Sequence, residues 1–292
     1  MLDIEKAHLY GQFVEAAYAM YDKPQGNPLR PAPAGIPAGY ELGAWIHMSD
    51  FVGDLQTLKF YGIVAHNLTD PNVRVIAIRG TEGAIEWLDD LFASLVPFRE
   101  APSAGRVAAG FDKIYDTLRI VRRQLPGAPA DFGETFPGSF ADQLEQLARS
   151  REAERGEARV GGQRPKRTTI VTGHSLGAAL ATLFVMENDW KRKFDITTLC
   201  TFASPRVGNM EFVALFNQLQ IDSWRIFNLQ DLVPKLPPHV PVVLNYDHVE
   251  TAYSFDSSDF AKNSPLCWHA LETYLHWLDP QSPLRPECVR TL

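Results

Sequence analysis

The segment GHSLG at residues 173–177 contains a serine that could act as a nucleophile. An apolar run rich in β-branched residues, TTIVT (168–172), precedes it, and an apolar helical pattern follows at 178–188. A sharp strand-to-helix turn pushes the serine hydroxyl out above the sheet, and flanking glycines avoid collisions with the backbone and the neighbouring helix. Spacing and context therefore predict Ser175 as a nucleophile; a glycine-flanked turn without chemistry is the plainer alternative. The N–H of Leu176, at the helix start, is then a candidate donor to an oxyanion.

Four segments, in chain order, resemble motifs of the class 3 lipase family, the fungal-lipase-like α/β-hydrolases. They are AIRGTEGAIEWLDDL (77–91), TIVTGHSLGAALATL (169–183), FASPRVGN (202–209) and RIFNLQDLVPKLPP (225–238). The resemblance extends over roughly residues 58–278, and four ordered motifs are more specific than one serine turn. It implies an α/β-hydrolase fold: a mostly parallel central sheet with helices on both faces and a helical lid.

Catalysis by a serine also requires a base that takes its proton and a third group that holds the base. In α/β-hydrolases the acid follows the serine in the chain and the histidine follows the acid. Asp231 lies between the strand-like run WRIFNL and the Pro-containing LVPKLPP, at a predicted strand exit where sites gather in open α/β sheets. It also matches the family's acid position, and a turn-capping role is the plainer interpretation. Asp222 precedes its strand and is the runner-up, whereas Asp247 is too close to the candidate histidines to be preferred.

Four histidines follow the predicted acid in the chain: His239, His248, His269 and His276. His269, in SPLCWHALETYL, opens a predicted C-terminal helix and is similar in its setting to the family's catalytic histidine. His248, in NYDHVETAY, resembles a family histidine that lies near the site without being the base. We therefore predict His269 as the base and keep His248 as the runner-up.

The other histidines have weaker claims to that role. His239 lies in a Pro-rich loop immediately after the acid, and His276 is expected to pack with Trp277 on a helix surface. His174 precedes the acid, so chain order excludes it as the base and leaves a packing role.

A second oxyanion donor is predicted where the strand VRVIAI (73–78) ends in Arg79-Gly80-Thr81. This turn resembles the RGS/RGT turn of the family, in which the Ser or Thr supplies a backbone N–H opposite the donor that follows the nucleophile. We assign Thr81 and Leu176 as the pair of donors that stabilise the charge on the carbonyl oxygen. A glycine turn followed by a helix N-cap is the plainer interpretation.

The segment GAIEWLDDLFASLV (83–96) has an amphipathic helical pattern. Its apolar stripe comprises Ile85, Leu88, Phe92 and Leu95, widened by Trp87 and Leu91. In the family this position holds the lid, so we predict a lid at about 82–97 that exposes its apolar face at a lipid surface. Val96 and Phe98 flank a proline at a possible hinge. A surface helix with its stripe fixed on the core is the alternative.

Charge and hydropathy narrow the class of protein. The 292 residues carry a formal net charge of −7, which argues against a nucleic-acid partner. No apolar run approaches the roughly 20 residues that span a bilayer. No secretory signal is visible, so a cytoplasmic location and a mature secreted form are both open.

The cysteines show no metal-ligand spacing, and we expect neither metal nor organic cofactor. Cys200 is predicted as a buried small side chain. Cys267 and Cys288 could pair and tie down the C-terminus, but the sequence leaves that pairing undecided.

Apolar runs alternate with helical patterns, which predicts a mostly parallel sheet in one domain over 1–292. The predicted strands are 58–66, 73–78, 168–172, 197–203 and 223–229. The predicted helices are 4–21, 106–125, 178–188, 209–220 and 266–278. Residues 126–167 are expected to form a variable excursion.

These features predict a carboxylic ester hydrolase that works through a serine acyl-enzyme. The resemblance implies acyl-ester lipids as substrates, with triacylglycerol first, and transient contact with a lipid–water interface. Phospholipase A1 and a feruloyl-type or short-chain esterase share the motifs and stay as alternatives. A catalytically silent binding protein of the same fold is a more distant one.

Overall fold

The computed structural model describes residues 1–50, 57–81, 94–123, 135–154, 167–238 and 245–290. The strands are β1 (Gly26–Asn27), β2 (Arg30–Pro31), β3 (Tyr40–Asp50), β4 (Thr57–Asn67), β5 (Val73–Ile78), β6 (Leu95–Pro97), β7 (Arg106–Ala108), β8 (Arg119–Arg122), β9 (Thr168–His174), β10 (Ile196–Phe202), β11 (Gly208–Asn209), β12 (Asp222–Asn228), β13 (Tyr246–Asp247) and β14 (Ala252–Phe255). The helices are α1 (Ile4–Asp22), α2 (Ala109–Tyr115), α3 (Phe140–Glu154), α4 (Leu176–Lys191), α5 (Met210–Phe216), α6 (Pro265–His269) and α7 (Leu271–Leu278). Short 3-10 turns lie at Val233–Lys235 and Pro286–Cys288.

An eight-stranded sheet in the order β14-β12-β10-β9-β5-β4-β3-β8 occupies the centre of the described part. The strands from β5 to β14 in this order pair in parallel, and the β5–β4, β4–β3 and β3–β8 pairs are antiparallel. Parallel strands need cover on both faces, and two apolar cores provide it. One contains Phe13 of α1 and Tyr274 of α7, and the other contains Phe140 of α3 and Phe184 of α4. The predicted mostly parallel sheet between helical layers is therefore confirmed.

Helix α1 begins where the Asp3 side chain accepts a hydrogen bond from the N–H of Lys6 at 3.1 Å, which satisfies one free donor of the first turn. Its buried positions recur at helical spacing and include Phe13, Ala17 and Met20. This apolar face packs on β4, β5, β9 and α7. The helix thereby brings its C-terminal half, with Tyr18, beneath the carboxyl ends of the central strands.

The predicted helix over 106–125 is wrong. The segment forms strand β7, the seven-residue helix α2 and strand β8. The apolar residues that suggested one helical stripe are nevertheless all buried: Val107, Phe111, Ile114, Tyr115, Leu118 and Val121. Each of the three short elements turns apolar side chains inward. The buried residues therefore recur at a helix-like spacing although no continuous helix is present.

Two further segments differ from the sequence analysis. Strand β3 pairs with β4 and β8 although no strand was predicted there. The excursion expected at 126–167 contains helix α3, whose Leu144 and Leu147 are buried in the core. Residues 124–134 and 155–166 lie outside the described residues.

Cys267 and Cys288 form a disulfide that joins α6 to the C-terminal 3-10 turn, which resolves the pairing that the sequence left open. A cross-link over 21 residues lowers the entropy of the unfolded chain and contributes roughly 3 kcal/mol. Cys200 is free and buried, as predicted. None of the helices in the described ranges is long and apolar enough to cross a bilayer.

Candidate active site

Ser175 occupies the turn between β9 and α4 in a strained backbone conformation. Its φ of 56° and ψ of −124° are unusual for a residue with a side chain and cost about 1–3 kcal/mol. The Ser175 N–H donates to the carbonyl of Phe202 at 2.9 Å, and its own carbonyl accepts from Ala178 at 3.0 Å. The sheet on one side and the helix on the other thus hold the strained turn in place.

The two glycines of GHSLG are required by close backbone contacts. A Cβ on Gly173 would lie 2.4 Å from the carbonyl oxygen of Gly177, and a Cβ on Gly177 would lie 2.2 Å from that of Ile78. Real Cβ atoms do not approach backbone so closely. The steric reason given for the glycine spacing in the sequence therefore holds in the structure.

The structure brings Ser175, His269 and Asp231 into one series of hydrogen bonds. Ser175 Oγ lies 2.9 Å from His269 Nε2, and His269 Nδ1 lies 2.8 Å from Asp231 Oδ2. A carboxylate can only accept, so Nδ1 carries the proton and Nε2 is left to accept from the serine hydroxyl. This is the orientation in which an imidazole can take a proton from a nucleophile.

Asp231 is 1% exposed, and both of its carboxylate oxygens accept hydrogen bonds. The N–H of Val233 donates to Oδ1 at 3.0 Å, and the Tyr274 hydroxyl donates to Oδ2 at 2.6 Å beside His269. Burial, together with the adjacent carboxylate, raises the pKa of Tyr274 well above its usual range, so the phenol keeps its proton. The carboxylate consequently has one orientation, and it imposes that orientation on the imidazole.

Replacement of this carboxylate tests its role. Asp231→Asn is expected to lower kcat for a soluble nitrophenyl ester about 10⁴-fold, because an amide can donate to Nδ1 and favours the wrong tautomer. Asp222→Asn, at the exposed start of β12, is the matched control and should retain wild-type kcat. Circular dichroism checks that both variants are folded. The opposite pattern of losses would assign the acid to Asp222.

The turn that contains Gly80 and Thr81 packs directly against Ser175. A Cβ on Gly80 would lie 2.9 Å from the Cβ of Ser175. Nη1 of the buried Arg79 donates to the Gly80 carbonyl at 2.7 Å. In a trans peptide that carbonyl and the N–H of Thr81 point in opposite directions, so fixing one fixes the other.

The N–H of Leu176, the first residue of α4, has no acceptor within its helix. Both predicted oxyanion donors flank Ser175, one in the adjoining turn and one as its neighbour in the chain; their catalytic role is a prediction.

The lid residues predicted from the sequence, Ile85, Trp87, Leu88, Leu91 and Phe92, lie outside the described residues. At the end of that segment, 95–97 is strand β6 paired with β7, so the predicted helix does not extend that far. Phe98 is fully buried, which anchors this flank to the core rather than leaving it as a hinge.

Two of the other candidate histidines, His248 and His276, form hydrogen bonds elsewhere. His248 Nε2 donates to the carbonyl of Pro234 at 2.6 Å, and burial, aided by Arg225, lowers its pKa to about 3. His276 Nδ1 donates to the carbonyl of Ser282 at 2.7 Å. Its ring lies against Phe260 rather than the predicted Trp277, which stacks on Phe255. His239 lies outside the described residues.

Several polar residues around the site were missed or given no role by the sequence analysis. Tyr18 and His174 form a hydrogen bond of 2.9 Å, Tyr274 donates to Asp231, and Asn228 donates to the carbonyl of Trp268 beside His269. The available signal was a polar atom within an otherwise apolar buried stripe, since such atoms need partners. The sequence does not say which partners.

A parallel sheet, a nucleophile turn between strand and helix, and an acid and a histidine that follow in this order define the α/β-hydrolase fold. Solved structures share it. The mono- and diacylglycerol lipase from Aspergillus oryzae aligns with a TM-score of 0.57 at 20% identity, over 87% of this chain and 80% of that one. A lipase from Rhizopus microsporus var. chinensis aligns with a TM-score of 0.58 at 17% identity, over 86% and 74%.

The chain belongs to the class 3 lipase family, whose family model matches residues 75–240. Among its relatives, phospholipase A1-II 1 from Oryza sativa subsp. indica is 29% identical over 250 residues, covering 81% of this chain and 57% of that protein. Phospholipase A1-II 6 from Oryza sativa subsp. japonica is 30% identical over 225 residues, covering 69% and 49%. The chain thus spans about half the length of these curated relatives.

Proposed function

We propose that the protein hydrolyses carboxylic esters of acyl lipids through a serine acyl-enzyme. The observation that carries this proposal is the continuous hydrogen-bonded series from Ser175 through His269 to the buried Asp231, with distances of 2.9 and 2.8 Å. A hydroxyl next to an oriented imidazole is the arrangement that nucleophilic acyl transfer needs.

The first half of the reaction forms an ester on the serine. Ser175 Oγ attacks the substrate carbonyl as His269 Nε2 takes its proton, and Asp231 stabilises the resulting imidazolium. The N–H groups of Thr81 and Leu176 are proposed to donate to the oxyanion. The imidazolium then protonates the leaving alkoxide, and an acyl group stays on Ser175.

The second half releases the acid. His269 takes a proton from a water molecule, which attacks the acyl-serine carbonyl and passes through a second oxyanion at the same donors. The proton returns to Ser175 Oγ as the carboxylic acid leaves. Every step uses side chains and backbone N–H groups of this chain, so the proposal requires no metal or organic cofactor.

The substrate class is narrowed by the relatives. The rice proteins, whose alignments cover 81% and 69% of this chain, are named phospholipase A1. That name favours the ester at the first glycerol position of a glycerophospholipid as the substrate. Triacylglycerol, the first substrate implied by the sequence resemblance, is the second candidate on the strength of the amphipathic pattern at 83–96.

A three-substrate comparison tests this choice. Phosphatidylcholine vesicles with different acyl chains at the two positions, emulsified trioleoylglycerol and a series of nitrophenyl esters are each assayed with wild type and Ser175→Ala. We expect release of the first-position chain to exceed triacylglycerol hydrolysis about tenfold or more in kcat/KM, a selectivity of about 1.4 kcal/mol. Faster triacylglycerol hydrolysis would overturn the phospholipid assignment. A preference for two- to four-carbon chains with no increase at an interface would overturn the lipid assignment altogether.

A further inference from the structure

Three hydrogen bonds connect the two sides of the candidate active site beneath Ser175. The Gly80 N–H lies 2.8 Å from the Tyr18 hydroxyl, which lies 2.9 Å from His174 Nδ1. His174 Nε2 lies 2.8 Å from the backbone carbonyl of His269. The series therefore runs from the predicted oxyanion turn, through α1 and the strand that precedes the serine, to the backbone of the predicted base.

The chemistry of the end groups fixes every proton in this series. The Gly80 N–H can only donate, so the Tyr18 oxygen accepts; the His269 carbonyl can only accept, so His174 Nε2 carries a proton. Nδ1 of a neutral imidazole then accepts the remaining proton, from the Tyr18 hydroxyl. Burial, together with the nearby His269, lowers the pKa of His174 well below its usual range and keeps the ring neutral. One arrangement thus satisfies every group in the series.

The base end of the series lies where a helix stops early. Helix α6 ends at His269, and Ala270 adopts an extended conformation, so no helical N–H groups donate to the last carbonyls of α6. Side chains replace those donors. Thr273 Oγ1 donates to the carbonyl of Cys267 at 2.6 Å, and Asn228 Nδ2 donates to that of Trp268 at 2.9 Å.

His174 supplies the third of these bonds, to the carbonyl of the base itself. Loss of that bond would free the peptide group of His269 while Thr273 and Asn228 still held its two predecessors. His269 would then lose a constraint on its backbone, while the surrounding chain stays folded.

The oxyanion end is held in the same manner. Tyr18 holds the N–H of Gly80 and Arg79 Nη1 holds its carbonyl, so both peptide planes of this residue are fixed before Thr81. Gly80 lies so close to Ser175 that a shift of this turn alters the space in which the oxyanion forms.

We propose that Tyr18 and His174 are positioning residues that hold the oxyanion turn and the base in register on either side of Ser175. This inference rests on the proposed ester-hydrolase function and deepens it. The role is distinct from core packing, because it predicts a loss of turnover that exceeds any loss of stability.

A phenylalanine substitution with a matched control tests the Tyr18 hydroxyl. Tyr18→Phe is compared with Tyr10→Phe, which removes the same group from the same face of α1. Tyr10 is similarly buried and stacks on Trp224 with ring centroids 6.1 Å apart, and in the described part of the chain no hydrogen bond joins it to the site. Tyr18→Phe is expected to lower kcat about 10- to 100-fold with KM nearly unchanged, and Tyr10→Phe to leave kcat at the wild-type value.

The rate at which a fluorophosphonate probe labels Ser175 gives a second readout that does not depend on the true substrate. Labelling should slow in Tyr18→Phe by the same factor as kcat and stay at the wild-type rate in Tyr10→Phe. If wild type is not labelled, the proposed function fails. If wild type is labelled and the two phenylalanine variants react equally fast, the positioning role alone is overturned.

A pair of variants at His174 keeps the test valid if Tyr18→Phe does not fold. His174→Gln retains an amide N–H that can reach the His269 carbonyl, whereas His174→Phe retains a ring and loses the donor. We expect the glutamine variant to label at least about tenfold faster than the phenylalanine variant at similar thermal stability. Equal labelling rates would overturn the role of the bond to His269.

Discussion

His269→Ala is expected to lower kcat by about 10⁵- to 10⁶-fold on a soluble ester, the loss seen when a triad histidine is removed from a serine hydrolase. Without the imidazole, the Ser175 hydroxyl keeps its proton at neutral pH and is a poor nucleophile. The residual rate should come from substrate binding and the oxyanion donors alone. Steady-state kinetics with the purified variant, after circular dichroism has shown that it is folded, measures the effect.

His248→Ala is the matched control, because His248 is the runner-up for this role in the sequence analysis. Its Nε2–H donates to the Pro234 carbonyl, and its low pKa keeps the ring neutral. His248 therefore has a structural role and is not placed to transfer protons in the reaction. We expect turnover per folded molecule close to wild type, with a loss of stability of about 1–3 kcal/mol from the unpaired carbonyl. An inactive, folded His248→Ala together with an active His269→Ala would reassign the base.

The parts of the fold that the sequence predicted correctly depend on local patterns. Gly173 and Gly177 have a steric requirement within a few residues of the serine, and the five predicted strands are short apolar runs. The order of serine, acid and base follows from how a parallel sheet is connected. Local spacing and chain order therefore restricted the candidates, and the resemblance to the family selected Asp231 and His269 among them.

The parts that the sequence did not predict depend on contacts between residues that lie far apart in the chain. Tyr18 and His174 are 156 residues apart, and neither residue type nor spacing pairs them. The bond between Cys267 and Cys288 depends on the short distance between α6 and the terminal turn, which has no sequence signature. At 106–125 the apolar spacing predicted burial correctly but not the element, because three short segments, rather than one helix, place these residues in the two cores.

Ser175→Ala is expected to lower kcat by about 10⁶-fold while leaving KM and thermal stability near wild type. The hydroxyl supplies the bond-forming oxygen, and no other described residue offers a nucleophile within reach of His269 Nε2. Alanine is small enough to keep the tight turn, although it also has a Cβ and adopts the same positive φ. The variant should still bind to lipid vesicles, and it therefore serves as the inactive control in every substrate assay above.

The most direct measurement is peptide mass spectrometry after reaction with a fluorophosphonate, with ester turnover recorded on the same samples. Wild type should lose activity in proportion to a single covalent adduct on the peptide that contains Ser175, and Ser175→Ala should carry no adduct and hydrolyse no ester above the background. An adduct on another residue, or wild-type turnover in Ser175→Ala, would contradict the assignment of Ser175 as the nucleophile.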